Sequence, residues 1–105
     1  MTQYRIALTT CSTPESAAVL ARALVERQLA ACVNIIPGLR SIYQWEDKIQ
    51  DEAEALLVIK TDAAHVAALE EAVQELHGYD TPELIVLGVE AGSQPYLDWI
   101  TQGLR

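Results

Sequence analysis

The chain has 105 residues and a mass of 11.5 kDa, a length that fits one domain. Half of its residues are apolar and 21% are charged, which is enough material for a core and excludes intrinsic disorder. Fifteen acidic against seven basic residues give a net charge of −8, so non-specific binding to nucleic acids and to anionic membrane surfaces is disfavoured.

The amino-terminal third predicts a strand followed by a helix. Tyr4–Thr9 alternates apolar and polar side chains, as a half-buried strand does. Two N-caps are possible for the helix: Thr13, with proline at the first helical position, or Ser12 in a capping box with Glu15. Apolar residues then recur at helical spacing, and the helix is predicted to end near Gln28.

A long hairpin is predicted next. Ala31–Ile36 is strand-like, Pro37–Gly38 turns or bulges the chain, and Ser41–Glu46 resumes the alternation. The polar stretch Asp47–Asp51 predicts the connecting loop, and Ala53–Lys60 is the return strand.

The remainder of the chain predicts helix, strand and helix. Thr61–Asp62 caps a second helix that ends at His77–Gly78. Leu84–Val89 is a continuous apolar run, which is typical of a strand covered on both faces, and Tyr96–Ile100 makes a short closing helix. Because two βαβ halves follow one another, the simplest right-handed arrangement is an α+β, ferredoxin-like βαββαβ sandwich.

The hairpin is too long for its helical cover. Its first strand could reach roughly 55 Å, whereas the first helix extends only about 22 Å. The protruding part carries Ile42, Tyr43 and Trp45. Leaving these side chains and the bare strand edges in water is unfavourable, so a closed homo-oligomer is predicted. The alternative is that Pro37–Gly38 folds the hairpin back onto its own domain.

Few residues suggest chemistry. The turn around Cys11 is either a capped strand-to-helix connection or an anion site at a helix amino terminus. His77 is either a helix carboxy-terminal histidine or a metal ligand joined by Cys11 and Glu83. Lys60, Tyr79 and Glu83 could meet near one end of the sheet, as polar structure or as a ligand pocket.

The compartment is predicted from the cysteines and from the first residues. Cys11 and Cys32 are too few for a disulfide scaffold and are not spaced as in a zinc site, so the thiols are expected to be reduced. No apolar run approaches the roughly 20 residues that cross a bilayer, and no cleavable leader pattern is visible. A cytoplasmic location without a membrane partner is therefore expected.

Several stretches together resemble the CutA divalent-cation tolerance proteins. They are Ala30–Gly38 (AACVNIIPG), Ser41–Tyr43 with Trp45, Leu57–Thr61, His77 with Tyr79–Leu84, and Tyr96–Trp99. This resemblance spans nearly the whole chain. It implies one ferredoxin-like domain over residues 1–105 with an extended hairpin and a short C-terminal helix, and a homotrimer similar to the PII signalling proteins. It further implies a cytoplasmic, non-enzymatic protein linked to tolerance of copper and other divalent metals.

Two functions follow from this resemblance. The family's copper site uses a cysteine that matches Cys11 and a His-His pair, which is Leu76–His77 here, and the family's proline before Tyr79 is Gly78. The first function is therefore a trimer that binds Cu²⁺ through Cys11 and His77 with Glu83. The alternative is a PII-like sensor or adaptor that binds a small anion or a partner protein in the inter-subunit cleft. The residues that match the family's cleft are Asn34, Tyr43, Trp45, Lys60, Tyr79 and Glu83.

Overall fold

All 105 residues are described by the computed structural model. The elements in chain order are β1 (Tyr4–Cys11), α1 (Pro14–Glu26), β2 (Cys32–Trp45), β3 (Lys48–Asp62), a 3-10 turn (Ala63–His65), α2 (Val66–Leu76), β4 (Ile85–Gly88) and α3 (Gln94–Gln102). The strands form one sheet in the order β2-β3-β1-β4, and every neighbouring pair is antiparallel. This is the ferredoxin-like arrangement, so the predicted α+β fold is confirmed.

The core lies between α1, α2 and one face of the sheet, which we call the helix face. On β3, Leu57 and Ile59 are completely buried and alternate with half-buried neighbours. Leu24 of α1 and Leu69 of α2 are completely buried against them. Removing an aliphatic side chain of this size from water stabilises the fold by about 1.5–3 kcal/mol, so these four residues fix how the helices sit on the sheet.

Helix α1 begins after Thr13, one of the two caps that the sequence allows. The Thr13 hydroxyl accepts a hydrogen bond from the Ser16 N–H (3.0 Å), and the Ser16 hydroxyl oxygen accepts one from the Thr13 N–H (3.3 Å). The alternative box between Ser12 and Glu15 is wrong, because Ser16 occupies the third helical position. The helix ends at Glu26, slightly before the predicted end.

The hairpin of β2 and β3 has almost no loop. Glu46 and Asp47 alone connect the strands, with φ of 51° and 65°. A two-residue turn with both residues in the left-handed region matches the natural twist of paired strands. The predicted loop over Asp47–Asp51 is therefore wrong, because the chain is back in β3 from Lys48.

A β-bulge interrupts β2 at Pro37–Gly38. The pairing shifts between Ile36 and Leu39, and Gly38 has φ of +77°, which glycine adopts without a steric penalty. The extra residue exchanges the faces of β2 beyond this point. Tyr43 and Trp45 consequently point to the face opposite the helices, which we call the open face.

The open face is only partly covered. Helix α3 packs Leu97 and Ile100 against Tyr4 near one end, while the hairpin extends beyond the helices and lengthens the molecule to 45 × 25 × 23 Å. Strand β4 is not covered on both faces as predicted, since Ile85 and Leu87 are about half exposed in the single chain. No helix is both long and apolar enough to span a bilayer.

Candidate functional site

Cys11 and His77 meet at the junction between β1 and the end of α2. The two predicted metal ligands are 66 positions apart in the sequence, yet Cys11 Sγ lies 3.7 Å from His77 Nε2. Both line an open cavity of about 270 Å³, together with Ser12, Ser16, Val19, Leu20, Leu76, Gly78 and Tyr79. Strand β1 presents the thiol at its last residue, and α2 ends immediately before the imidazole. The fold therefore brings one soft donor and one imidazole to the same place.

Both nitrogens of His77 are engaged in hydrogen bonds. Nε2 donates to the carbonyl oxygen of Thr10 (2.6 Å), and Nδ1 accepts from the backbone N–H of Tyr79 (3.1 Å). These two bonds select the tautomer that carries its proton on Nε2. A metal ion at Nε2 must therefore replace the hydrogen bond to Thr10.

Cys11 is a neutral thiol at physiological pH. Its side chain is almost completely buried, and this burial raises the pKa of the thiol above its ordinary value. A hydrogen bond with Ser16 acts in the opposite direction, and the charge of Glu54 adds to the rise. A metal ion would have to displace the thiol proton, which makes binding weaker as the pH falls.

The donor pair suits copper or zinc in kind, because thiolate and imidazole are ligands that both metals take. A zinc ion bonded to both at its usual bond lengths with a tetrahedral angle holds the two donors about 3.6 Å apart, close to the 3.7 Å found here. Cu²⁺ prefers a square-planar arrangement, which requires the two donors to move closer together. The third predicted ligand, Glu83, lies in a different cavity. No group of three His, Cys, Asp or Glu side chains is placed to hold a metal ion, so the predicted three-ligand set is not assembled in one chain.

A second, larger cavity lies on the open face between the hairpin and the segment after α2. Its volume is about 870 Å³. It unites four of the six predicted cleft residues, namely Tyr43, Trp45, Tyr79 and Glu83. The bulge at Pro37–Gly38 makes this possible, because it places Tyr43 and Trp45 on the face that the cavity occupies.

This second cavity is acidic. Its wall includes four carboxylates and no basic side chain; the acidic residues are Glu52, Glu54, Asp80 and Glu83. Tyr43 donates a hydrogen bond to Glu52, and Tyr79 donates one to Glu54 (2.7 Å). Burial first, and then the bond to Glu54 and the nearby negative charges, raise the pKa of Tyr79 far above its ordinary value. A cavity with this charge favours cations over anions.

Lys60 and Asn34 do not join this cavity within one chain. Lys60 pairs with Ile6 on β1 and with Cys32 on β2, six residues along β3 from Glu54. Its ammonium group donates hydrogen bonds to the Asn34 side chain and, at 3.9 Å, to Cys32 Sγ. The expectation that Lys60 meets Tyr79 and Glu83 at one sheet end is therefore wrong for the single chain, because the register separates them.

Three residues that line the two cavities were not identified from the sequence, namely Glu52, Glu54 and Ser16. Glu52 and Glu54 are two residues apart on β3, and this spacing places both on one face of the strand. Ser16 lines the first cavity beside Cys11 and lowers the pKa of its thiol. Strand periodicity could have identified the two glutamates once the two-residue turn was known.

Comparison with known proteins gives a consistent result. Residues 5–103 match the family model described as CutA1 divalent ion tolerance protein. The mouse protein named Protein CutA is 48% identical over 96 residues, which cover 91% of this chain and 54% of that protein. The chain therefore spans about half the length of the mammalian relatives that it matches.

Bacterial relatives match over nearly their full length. The divalent-cation tolerance protein CutA of Thermus thermophilus is 43% identical over 97 residues, covering 92% of this chain and 94% of that protein. The crystal structure of CutA from Xylella fastidiosa superposes with a TM-score of 0.96 at 38% identity, covering 99% of this chain and all of that chain.

Proposed function

Because the chain belongs to the CutA1 divalent ion tolerance protein family, we propose that it acts in divalent-cation tolerance by binding the metal itself, with Cu²⁺ as the preferred ion. The observation that supports this is the meeting of Cys11 Sγ and His77 Nε2 at 3.7 Å in an open cavity. One sulfur and one imidazole donor per chain leave the other coordination positions to water or to a second subunit. We expect affinity below that of a complete structural site.

Titration with Cu²⁺ in anaerobic buffer tests this proposal. The chain has two cysteines and two histidines, which allows a matched pair of variants. The variant Cys11→Ser with His77→Ala removes the proposed donors, whereas Cys32→Ser with His65→Gln removes the same donor types elsewhere. We expect isothermal titration calorimetry to show loss of the tightest binding phase in the first variant only. Indistinguishable isotherms for the wild type and the first variant exclude these ligands.

We propose that the protein is a homotrimer. Support comes from the apolar side chains left in water on the open face and the hairpin, among them Ile42, Trp45 and Ile49, each more than 60% exposed. Strands β2 and β4 also offer unpaired edges. Burying these surfaces between three copies removes the apolar side chains from water and pairs the open strand edges.

We further propose that residues 1–105 act as one CutA-like domain without catalytic activity, in the cytoplasm. The neutral thiol of Cys11 and the fully engaged imidazole of His77 are not arranged as a nucleophile and a base. Two free cysteines suit a reducing compartment. Fractionation of cells that produce the protein tests the location, and detection mainly outside the cytoplasm contradicts it.

A sensor or adaptor that uses the second cavity is the other candidate function. The volume of about 870 Å³ and the aromatic walls Tyr43, Trp45 and Tyr79 favour it. The four carboxylates favour a cationic ligand over the small anion considered from the sequence. Thermal-shift screening separates the two functions, because a ligand of the native protein raises its melting temperature. Stabilisation by organic cations and not by metal ions favours the sensor.

A further inference from the structure

The acidic cavity on the open face holds two carboxylates side by side. Glu52 and Glu54 both line it from β3, and their spacing of two residues along the strand places them roughly 7 Å apart. Tyr43 donates a hydrogen bond to Glu52 Oε1, and Tyr79 donates one to Glu54 Oε2. The two phenols therefore fix the orientation of both carboxylates. The second oxygen of each carboxylate accepts no hydrogen bond from the chain.

The same cavity contains a hydroxyl group without a partner. Thr10 lines the cavity from β1 and is only 9% exposed. It pairs with Leu56, two residues along β3 from Glu54. Its backbone carbonyl accepts a hydrogen bond from His77, but no group of the chain bonds its Oγ1 atom. Because a buried hydroxyl is costly unless water or a ligand satisfies it, Thr10 independently indicates a polar group bound in this cavity.

The charges of this cavity suit an organic cation better than a metal ion. None of its four carboxylates is paired with a basic side chain, and no three of them converge as ligands of one metal ion. Negative charge that is spread along a cavity is best matched by a ligand whose positive charges are also separated. The rings of Tyr43 and Tyr79 add apolar surface and faces that attract cations.

We propose that this cavity binds an aliphatic diamine or polyamine, whose two ammonium groups contact Glu52 and Glu54. Its methylene chain lies against the rings of Tyr43 and Tyr79. This inference rests on the proposed sensor or adaptor function and names its class of ligand. An extended chain of four or five methylene groups holds two ammonium nitrogens about 6–7.5 Å apart, which matches the spacing of roughly 7 Å between the two glutamates.

The remaining polar and aromatic groups are consistent with this arrangement. An ammonium group has three N–H donors, so the one at Glu54 also donates to the Thr10 hydroxyl. Trp45 lies beside the hairpin turn, at the far end of the arm from Thr10. Its indole is not needed to hold either ammonium group and stays available to a partner subunit.

Isothermal titration calorimetry with three amines tests the inference. At pH 7.5 all their amino groups are charged, since such groups have pKa values of about 10. Compared with 1,4-diaminobutane, 1-aminobutane keeps the chain and lacks one charge, whereas 1,3-diaminopropane keeps both charges and shortens their spacing. We expect 1,4-diaminobutane to bind roughly 10-fold more tightly than 1-aminobutane, and about threefold more tightly than 1,3-diaminopropane.

A matched pair of double variants locates the binding. Glu52→Gln with Glu54→Gln removes two charges and keeps an acceptor for each phenol. The control, Glu70→Gln with Glu71→Gln, removes the same charge from exposed positions on α2 outside both cavities. We expect the first variant to weaken 1,4-diaminobutane binding roughly 10-fold and the control to stay within about twofold of the wild type. Thr10→Val, which removes only the hydroxyl, should weaken binding about threefold.

The outcomes separate the inference from the function on which it rests. A preference for 1,4-diaminobutane that is lost in Glu52→Gln with Glu54→Gln, but not in the control, supports the inference. Equal weakening in both double variants reveals non-specific attraction to an acidic protein and overturns it. Binding of tetramethylammonium or 1-aminobutane in this cavity without a preference for the diamine overturns the ligand class and leaves the sensor in place. Absence of binding of every organic cation overturns both.

Discussion

Replacement of Trp45 by alanine tests the proposed assembly most directly. The indole lies on the open face of the hairpin and is 63% exposed in the single chain. With about 250 Å² for a whole Trp side chain, roughly 160 Å² remains to be buried by a partner. At about 25 cal/mol per Å², burying this area stabilises the assembly by at most roughly 4 kcal/mol per subunit. In an interface we expect about half of this stabilisation, about 2 kcal/mol.

Three subunits multiply this effect. A loss of about 2 kcal/mol per subunit makes the free energy of trimer assembly less favourable by about 6 kcal/mol. The assembly constant therefore falls by a factor of roughly 10⁴. The concentration at which half of the trimer dissociates varies as the inverse square root of that constant. We therefore expect this concentration to rise on the order of 100-fold in Trp45→Ala.

Analytical ultracentrifugation over a dilution series from micromolar to nanomolar measures this shift. The control is Val25→Ala, which removes apolar surface from α1 outside both cavities, where Val25 is 40% exposed. We expect the control to dissociate as the wild type does. A wild-type protein that sediments as an 11.5 kDa particle at micromolar concentration, or coincident dissociation curves for Trp45→Ala and Val25→Ala, refutes the reasoning.

Three further predictions concern the single chain. Leu57→Ala should lower the free energy of unfolding by about 3–5 kcal/mol because Leu57 is completely buried; a loss below about 1 kcal/mol in denaturant titration contradicts the core described. The hydrogen bond from the His65 imidazole to the Asp62 carboxylate raises the pKa of His65. The stabilisation from this bond is therefore complete below the unfolded pKa of about 6.5 and is lost as the pH rises through the folded pKa. The melting temperature difference between the wild type and Asp62→Asn should be largest at acid pH, and a pH-independent difference argues against it. Because burial raises the pKa of Cys11, iodoacetamide should alkylate this thiol more slowly than free cysteine at pH 7.5 when followed by mass spectrometry; equal rates contradict a buried, neutral thiol.

The sequence predicted the order and type of the elements well, because each has a strong local signal. Alternation marked β1, and the Thr13 cap marked the start of α1. The hairpin turn was misjudged because Glu46 and Asp47 are charged residues, without the glycine that usually announces two left-handed residues. The exposure of Ile85 was misjudged because a continuous apolar run looks the same whether a helix or a second chain covers it.

The candidate site was predicted only in part, for a different reason. The proximity of Cys11 and His77 depends on how α2 returns to the end of β1, which residue spacing does not encode, and the resemblance to a known family supplied it. Which hydrogen bonds His77 makes depends on positions of the Thr10 carbonyl and the Tyr79 amide that only the folded backbone defines. The separation of Lys60 from Glu83 follows from the registers of β3 and β4 on β1, which the alternation of side chains does not determine.

The bulge at Pro37–Gly38 also limits how the hairpin can change during evolution or engineering. Side chains alternate with a period of two, so inserting or deleting one residue between the bulge and the tip on β2 alone would turn Tyr43 and Trp45 to the other side of the arm. Tolerated length variants should therefore add or remove residues in even numbers, or one on each strand. A library of single-residue deletions along this arm should accordingly show survivors chiefly at the bulge itself, where the irregularity can absorb the change.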